Sequence, residues 1–161
     1  MSSRPNDYVL LGASVALTLV AAAVGGIITA SPVQTWYQTI QRPPWNPPDW
    51  LFGPVWTILY LMMAVALWRV WRLGWGESGV RVAVVLFLIQ LILNVLWSFV
   101  FFGLRQPGWG FLEIVVLWGF ILATLITFYR LERLAGLLLI PYLAWVTFAG
   151  ILNGVVWRLN R

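Results

Sequence analysis

Neither histidine nor cysteine occurs in the 161 residues. Zinc sites, disulfides, thiolate nucleophiles, Ser-His-Asp triads and haem ligation by His or Cys are therefore excluded. What keeps chemical capacity is a set of amides, hydroxyls, phenols and indoles set within long apolar runs. Gln90, Asn94 and Ser98 recur at i, i+4 and i+8 with Trp97 and Phe101 beside them, lining one helical face with polar groups and rings. Tyr142, Trp145, Ala149, Leu152 and Asn153 share a second face, where small Ala149 leaves room beside Trp145, and Trp56 and Tyr60 stand one turn apart on a third. Amides are costly against lipid, so these faces look inward. Two readings fit them: hydrogen bonds between helices, or the wall of a pocket for a large, flat, mostly apolar ligand held by stacking and a few polar contacts. No general acid, base or metal-ligand set for ordinary catalysis accompanies them.

The elements that must position these faces are set by composition. The chain is 61% hydrophobic and 9% charged, against roughly 25% charged in a soluble domain, and its mean hydropathy is +0.88. The missing polar surface must face lipid. A bilayer core of about 30 Å takes about 20 helical residues, and uncharged runs of that length predict five spans, at residues 9–30, 51–68, 82–104, 109–129 and 134–157. The expected fold is an all-α integral membrane protein: one five-helix transmembrane bundle over residues 1–161, with the termini on opposite sides. The first run exceeds the roughly 7–15 apolar residues of a secretory leader and is read as a span. The net charge of +5 is carried by Arg without Lys. Scattered Arg in short loops anchors helix ends to headgroups rather than binding nucleic acid. Arg4, Arg69, Arg72, Arg81, Arg130 and Arg133 on the N-terminal side outnumber Arg42, Arg105, Arg158 and Arg161, which tilts that side toward the cytoplasm.

Three connections are short turns suited to antiparallel neighbours. The first, residues 31–50, is long and holds Pro32, Pro43, Pro44, Pro47 and Pro48 with Trp36, Tyr37, Trp45 and Trp50. Proline fixes φ, removes an N–H and biases the preceding residue to extended geometry, so residues 42–49 are expected to form a stiff lid. Gly74, Gly76 and Gly79 match G-x-G-x-x-G, but they follow a transmembrane helix rather than a strand, so they mark a turn and not a nucleotide site. Trp45, Trp50, Trp68, Trp71, Trp75, Trp109 and Trp157 fall at expected membrane boundaries, where indoles collect as a belt. Trp56, Trp97 and Trp145 lie deeper. Glu113, one turn from its helix start, reads as interfacial and favoured by the helix dipole. Pro141 is expected to open the helix ladder near the Leu137 carbonyl.

Trp45-Asn46-Pro47-Pro48-Asp49-Trp50, the GPVWTILY run from Gly53, QLILNVLWSFVFFG from Gln90, RQPGW from Arg105 and PYLAWVTFAGILN from Pro141 follow in order along nearly the whole chain. Together they strongly resemble the tryptophan-rich sensory protein and translocator protein (peripheral benzodiazepine receptor, TspO/MBR) family. The resemblance implies a multi-pass five-helix bundle, often a homodimer, with a pocket closed by the first loop; the sequence leaves open which membrane holds it, a bacterial cell membrane or outer membrane being expected. It implies binding of tetrapyrroles, protoporphyrin IX and haem, or other hydrophobic small molecules, with no cofactor required beyond porphyrin or haem as ligand. Carried over by position, the ligand-binding residues are Tyr37 and Pro47 from the lid, Trp56 and Tyr60, then Asn94, Trp97 and Ser98, then Trp109, and finally Trp145, Ala149 and Leu152.

Three function classes follow from the resemblance: a receptor or carrier for tetrapyrroles, a light-dependent porphyrin-degrading enzyme using Trp56 and Trp145 as redox partners, and a sterol or lipid transporter. The family's animal sterol motif needs a Tyr where this chain has Gly154, between Leu152 and Arg158, which weakens sterol recognition there. Leu125, Tyr129 and Arg133 satisfy the loose sterol pattern elsewhere. Gly154 instead completes Gly150-x-x-x-Gly154, which permits close helix approach within one chain or between two. Against transport, the spans show no inverted repeat or charge relay.

Overall fold

The computed structural model describes residues 5–161, with side chains from Asp7 onward. Arg4, counted in the charge asymmetry above, lies outside the described residues. Among those residues every regular element is helical: α1 (Pro5–Gln34), α2 (Trp36–Thr39), α3 (Asp49–Trp71), α4 (Val80–Ser98), a π-helical turn (Phe99–Gly103), α5 (Pro107–Leu131), α6 (Arg133–Leu138) and α7 (Ile140–Leu159). Five segments are long and apolar enough to span a bilayer: Asp7–Thr39, Asp49–Trp71, Val80–Gly103, Pro107–Leu131 and Arg133–Leu159. The chain is thus an integral, multi-pass membrane helix bundle, and helices suit that solvent because they satisfy their own backbone polar groups. Val20, Ile27, Ile58, Val82, Ile92, Val115 and Ile151 are exposed on the outer faces, where acyl chains replace water.

The bundle is packed at one end and open at the other. Met63, Leu67, Phe87, Leu117, Ile121 and Phe128 are fully buried, and Phe87 stacks on Phe128 with centroids 5.8 Å apart. At the opposite end a smaller aromatic cluster forms around Tyr37, Phe101 and Phe102. Between them α5 and α7 approach closely along Gly150 and Gly154. A Cβ at Gly154 would lie 2.9 Å from the Phe111 ring, and one at Gly150 3.7 Å from Ile114. The small-residue pair is therefore used inside the chain.

Three local features differ from the expectation or sharpen it. Residues 31–34 and 36–39 are helical rather than loop, with Pro32 inside α1. The burial of Tyr37 against Phe101 and Phe102 outweighs the hydrogen bond that Pro32 removes. The irregular lid is correspondingly shorter, from Ile40 to Pro48, both extended, with a turn closed by Asn46 N–H on the Pro43 carbonyl at 3.0 Å. The Pro141 effect is a full break: α6 ends at Leu138 and α7 starts at Ile140, with Pro141 in its first turn. Glu113 sits in the second turn of α5, and both its carboxylate oxygens are buried without a partner, so it is not held by the helix start.

At the packed end Arg69 makes a bidentate pair with Glu132, 2.8 and 3.0 Å, and the same carboxylate accepts the Ala135 N–H at 2.6 Å, capping α6. The Arg69 hydrogen bond, helped by the Ala135 and Leu134 N–H groups, holds the Glu132 carboxyl below its usual range even though burial pushes the other way. A depressed carboxyl stabilises the fold above the unfolded-state value of about 4.3 and loses that contribution as pH falls through its lower folded value. Glu132→Ala should therefore lower stability by about 1 kcal/mol at pH 7, mostly as a lost cap. Thermal unfolding in micelles checks this, with the gap to the parent expected to narrow progressively as pH falls below about 4.

Candidate ligand-binding site

The open end holds a cavity of about 520 Å³ walled by α1, α3, α4, the π-helical turn and α7. Its floor is a chain of hydrogen bonds linking three helices. The Tyr60 hydroxyl donates to Asn94 Oδ1 at 2.6 Å, and Asn94 Nδ2 donates to the Tyr142 hydroxyl at 2.8 Å. The Tyr142 hydroxyl in turn donates to Gln90 Oε1 at 2.8 Å. Gln90 and Asn94 fall one turn apart on α4, so they meet α3 and α7 with one face. Ser98, one turn further, leaves this chain and lines the cavity opposite Gly25, where a Cβ would stand 3.6 Å from its Oγ.

Rings form the walls. Trp56 lies 5.7 Å from Tyr60 and 6.2 Å from Tyr142 between centroids. Across the cavity Trp145 meets Phe52 at 5.9 Å. Trp97 stacks on Phe101 at 5.3 Å and donates its Nε1–H to Asn153 Oδ1 at 3.0 Å, while Asn153 Nδ2 binds the Pro107 carbonyl. Trp97 is thereby locked. Trp145 is not: its Nε1 is buried with no acceptor, on a residue that lines the cavity. Asp49 is the one carboxylate among the described residues of the lining, and it already holds Gln38 and Arg42. The arrangement stacks flat apolar surface and offers few directed polar groups.

The lid is tied down at several points. The Tyr37 hydroxyl donates to Asn46 Oδ1 at 2.7 Å, and Asn46 Nδ2 donates to the Pro47 carbonyl at 2.9 Å. Arg42 lies over the Tyr37 ring, 5.0 Å from its centroid, and 3.5 Å from Asp49. Trp45 packs on Phe148, which packs on Trp145. Asn160, just past α7, grips the Gln41 backbone twice at 2.9 Å, accepting its N–H and donating to its carbonyl. Prolines cannot donate, so these side-chain bonds stand in for the missing backbone ladder.

Tyr37, Trp56, Tyr60, Asn94, Trp97, Ser98, Trp145, Ala149 and Leu152 are brought together around this one space. Two expected residues are not. Trp109 is 66% exposed on the outside of α5, because its face turns away from the face of Gly110 and Ile114 that packs inward. Pro47 lies in the lid but outside the cavity lining, and its carbonyl accepts from Asn46 Nδ2. The α1 wall was missed. Ala22, Gly25, Gly26, Thr29, Ala30 and Val33 line the cavity, and their small side chains at helical spacing were the available signal. Phe52, Phe101 and Phe102 also join the lining.

The floor generates a test. Asn94→Leu strips partners from two buried hydroxyls at a cost of about 1–3 kcal/mol, seen as a lowered unfolding temperature in micelles. Ser98→Ala, outside the network, should leave that temperature nearly unchanged.

The TspO/MBR family profile matches residues 14–158. The tryptophan-rich protein TspO of Chlorobaculum tepidum is 48% identical over 156 residues, covering 96% of this chain and 99% of that protein. The human translocator protein is 42% identical over 127 residues, 78% of this chain and 75% of its own. The tryptophan-rich sensory protein of Cereibacter sphaeroides is 40% identical over 125 residues, 78% of this chain and 77% of its own. With a profile match over nearly its full length and relatives this similar, the chain belongs to the TspO/MBR family.

Proposed function

We propose that the protein is a membrane receptor or carrier that reversibly binds a flat, largely apolar tetrapyrrole, of the protoporphyrin IX or haem kind, beneath its lid. The observation that supports this most is the cavity itself: about 520 Å³, walled by indole and phenyl rings, with one buried indole N–H left without an acceptor. That volume lies in the usual range for small-molecule sites, roughly 300–1,000 Å³. Trp56 and Trp145 offer aromatic surface, and Trp145 Nε1 and Ser98 Oγ offer hydrogen bonds to the macrocycle edge or its carboxylates. No cofactor is needed for binding alone. A homodimer is compatible with this reading.

A second reading, light-driven degradation of the porphyrin, draws support from Trp56 and Trp145 both lining the cavity, where an excited macrocycle could oxidise either ring. Illumination separates the two. A receptor leaves the porphyrin absorbance intact, whereas degradation bleaches it in proportion to protein.

The first test is a dark titration of protein in lipid nanodiscs with protoporphyrin IX, following quenching of tryptophan fluorescence. Saturation at one site per chain is expected, and linear quenching matching simple partition into lipid would overturn the reading. Trp145→Phe should weaken binding severalfold and leave thermal stability nearly unchanged, because it removes a ligand-facing indole edge from the cavity wall. Asn160→Ala should raise the porphyrin dissociation rate severalfold, since the lid loses both of its bonds to the end of α7. Stopped-flow displacement measures that rate, and an unchanged value would show that the lid does not gate release.

A further inference from the structure

Away from the cavity, Trp109, Leu112, Glu113 and Val116 share one face of α5 at i, i+3, i+4 and i+7. The π-helical turn after α4 sets Val100 and Leu104 against that face, and a groove of about 390 Å³ lies between them. It opens outward, toward the bilayer: Trp109, Leu112, Val116 and Leu104 are all exposed. In this apolar setting both oxygens of Glu113 are buried and have no hydrogen-bond partner. The ion pairs among the described residues use Asp7, Asp49 and Glu132, never Glu113. Glu113 does not line the tetrapyrrole cavity either.

An ionisable group at membrane depth is costly unless something supplies a complementary partner. Among the described residues none hydrogen-bonds or ion-pairs with Glu113, although the Gln106 amide lines the same groove. Every Arg among the described residues lies outside the spans or within two residues of a span end, whereas Glu113 is six residues inside Pro107–Leu131. At about 1.5 Å per residue that depth is about 9 Å, within reach of an amphiphile dissolved in the same leaflet. We propose that this groove is a second binding site, for a single-tailed amphiphile whose headgroup is a protonated primary amine. The Glu113 side chain would turn its buried carboxylate into the groove to meet the ammonium, with the exposed Trp109 indole one turn away as an aromatic partner for the cation. The tail would lie along Val100, Leu104, Leu112 and Val116.

The test is isothermal titration of dodecylamine into protein in phosphatidylcholine nanodiscs, with empty nanodiscs and dodecanol as comparisons. Saturable binding of one amine per chain above the empty-nanodisc signal is expected, with dodecanol at least tenfold weaker. Glu113→Gln should weaken the amine at least tenfold and fold at least as well as the parent, since it removes a buried unpaired acid. Val116→Trp, which fills the groove, should weaken it by a similar factor, whereas Trp145→Phe in the other cavity should leave it unchanged. The proposal is overturned by any of four results: amine uptake equal to empty nanodiscs, dodecanol binding as well as the amine, full affinity in Glu113→Gln, or equal loss in Trp145→Phe.

Discussion

The hydrogen-bonded chain from Tyr60 through Asn94 and Tyr142 to Gln90 is the interaction on which the rest of this bundle depends. Helices in lipid gain little from burying apolar faces against one another, because acyl chains are as apolar as leucine. Register between α3, α4 and α7 therefore falls to the few groups that lipid cannot satisfy. A slip of one residue on α4 would turn Gln90 and Asn94 out of reach of both tyrosines and strand four polar groups at once. The network thus fixes where the packed half ends. Beyond it on the same helices Trp56, Ser98 and Ala149 line the cavity, with the Trp56 ring resting against Tyr60 and Tyr142.

The lid solves a related difficulty by other means. A proline-rich segment has few N–H groups to offer, so a backbone ladder cannot hold it. Aromatic packing and side-chain bonds do so instead: Tyr37 on Asn46, Trp45 on Phe148, and Asn160 on both polar atoms of Gln41. Such contacts are individually weak, whereas the fixed proline φ angles narrow the conformations available to the segment. Stiffness comes from the chain and closure from the contacts.

Much of this architecture was legible in the residues, and the exceptions share a cause. The five spans followed from uncharged length, and the inward faces of α4 and α7 from polar residues at helical spacing. Residues 31–39 misled because Pro32 reads locally as a breaker, yet Tyr37 buries between Phe101 and Phe102 only once the distant turn after α4 is in place. The π-helical turn itself left no local mark in Phe99–Gly103, so the rotation it gives that segment, and the groove beside Glu113, could not be foreseen. Trp109 was placed in the pocket by resemblance, whereas its boundary position alone assigned it to the interfacial belt. Its 66% exposure agrees with the boundary position. Local pattern shows which groups are polar and how they space; only tertiary packing decides which of two neighbouring faces turns inward.

The distribution of satisfied and unsatisfied groups separates scaffold from site. Gln90, Asn94, Tyr142 and Asn153 are buried and bonded, and each joins helices that would otherwise slide. Ser14 Oγ is buried and unpaired, but it sits in α1 beside Thr18, whose hydroxyl turns to the Ser14 carbonyl. A small hydroxyl within a helix carries little penalty and can turn to its own backbone. Trp145 Nε1 and Glu113 differ in kind: each is a large polar group that has no partner and borders open volume. A packing defect would be expected to collapse onto such groups, since neighbouring side chains gain contacts by doing so. At Trp145 the cavity instead stays open because Trp97 is pinned by Asn153 and Tyr60 by Asn94, so neither ring can swing into the space. The bonds that hold the bundle together are the same ones that keep its cavity open.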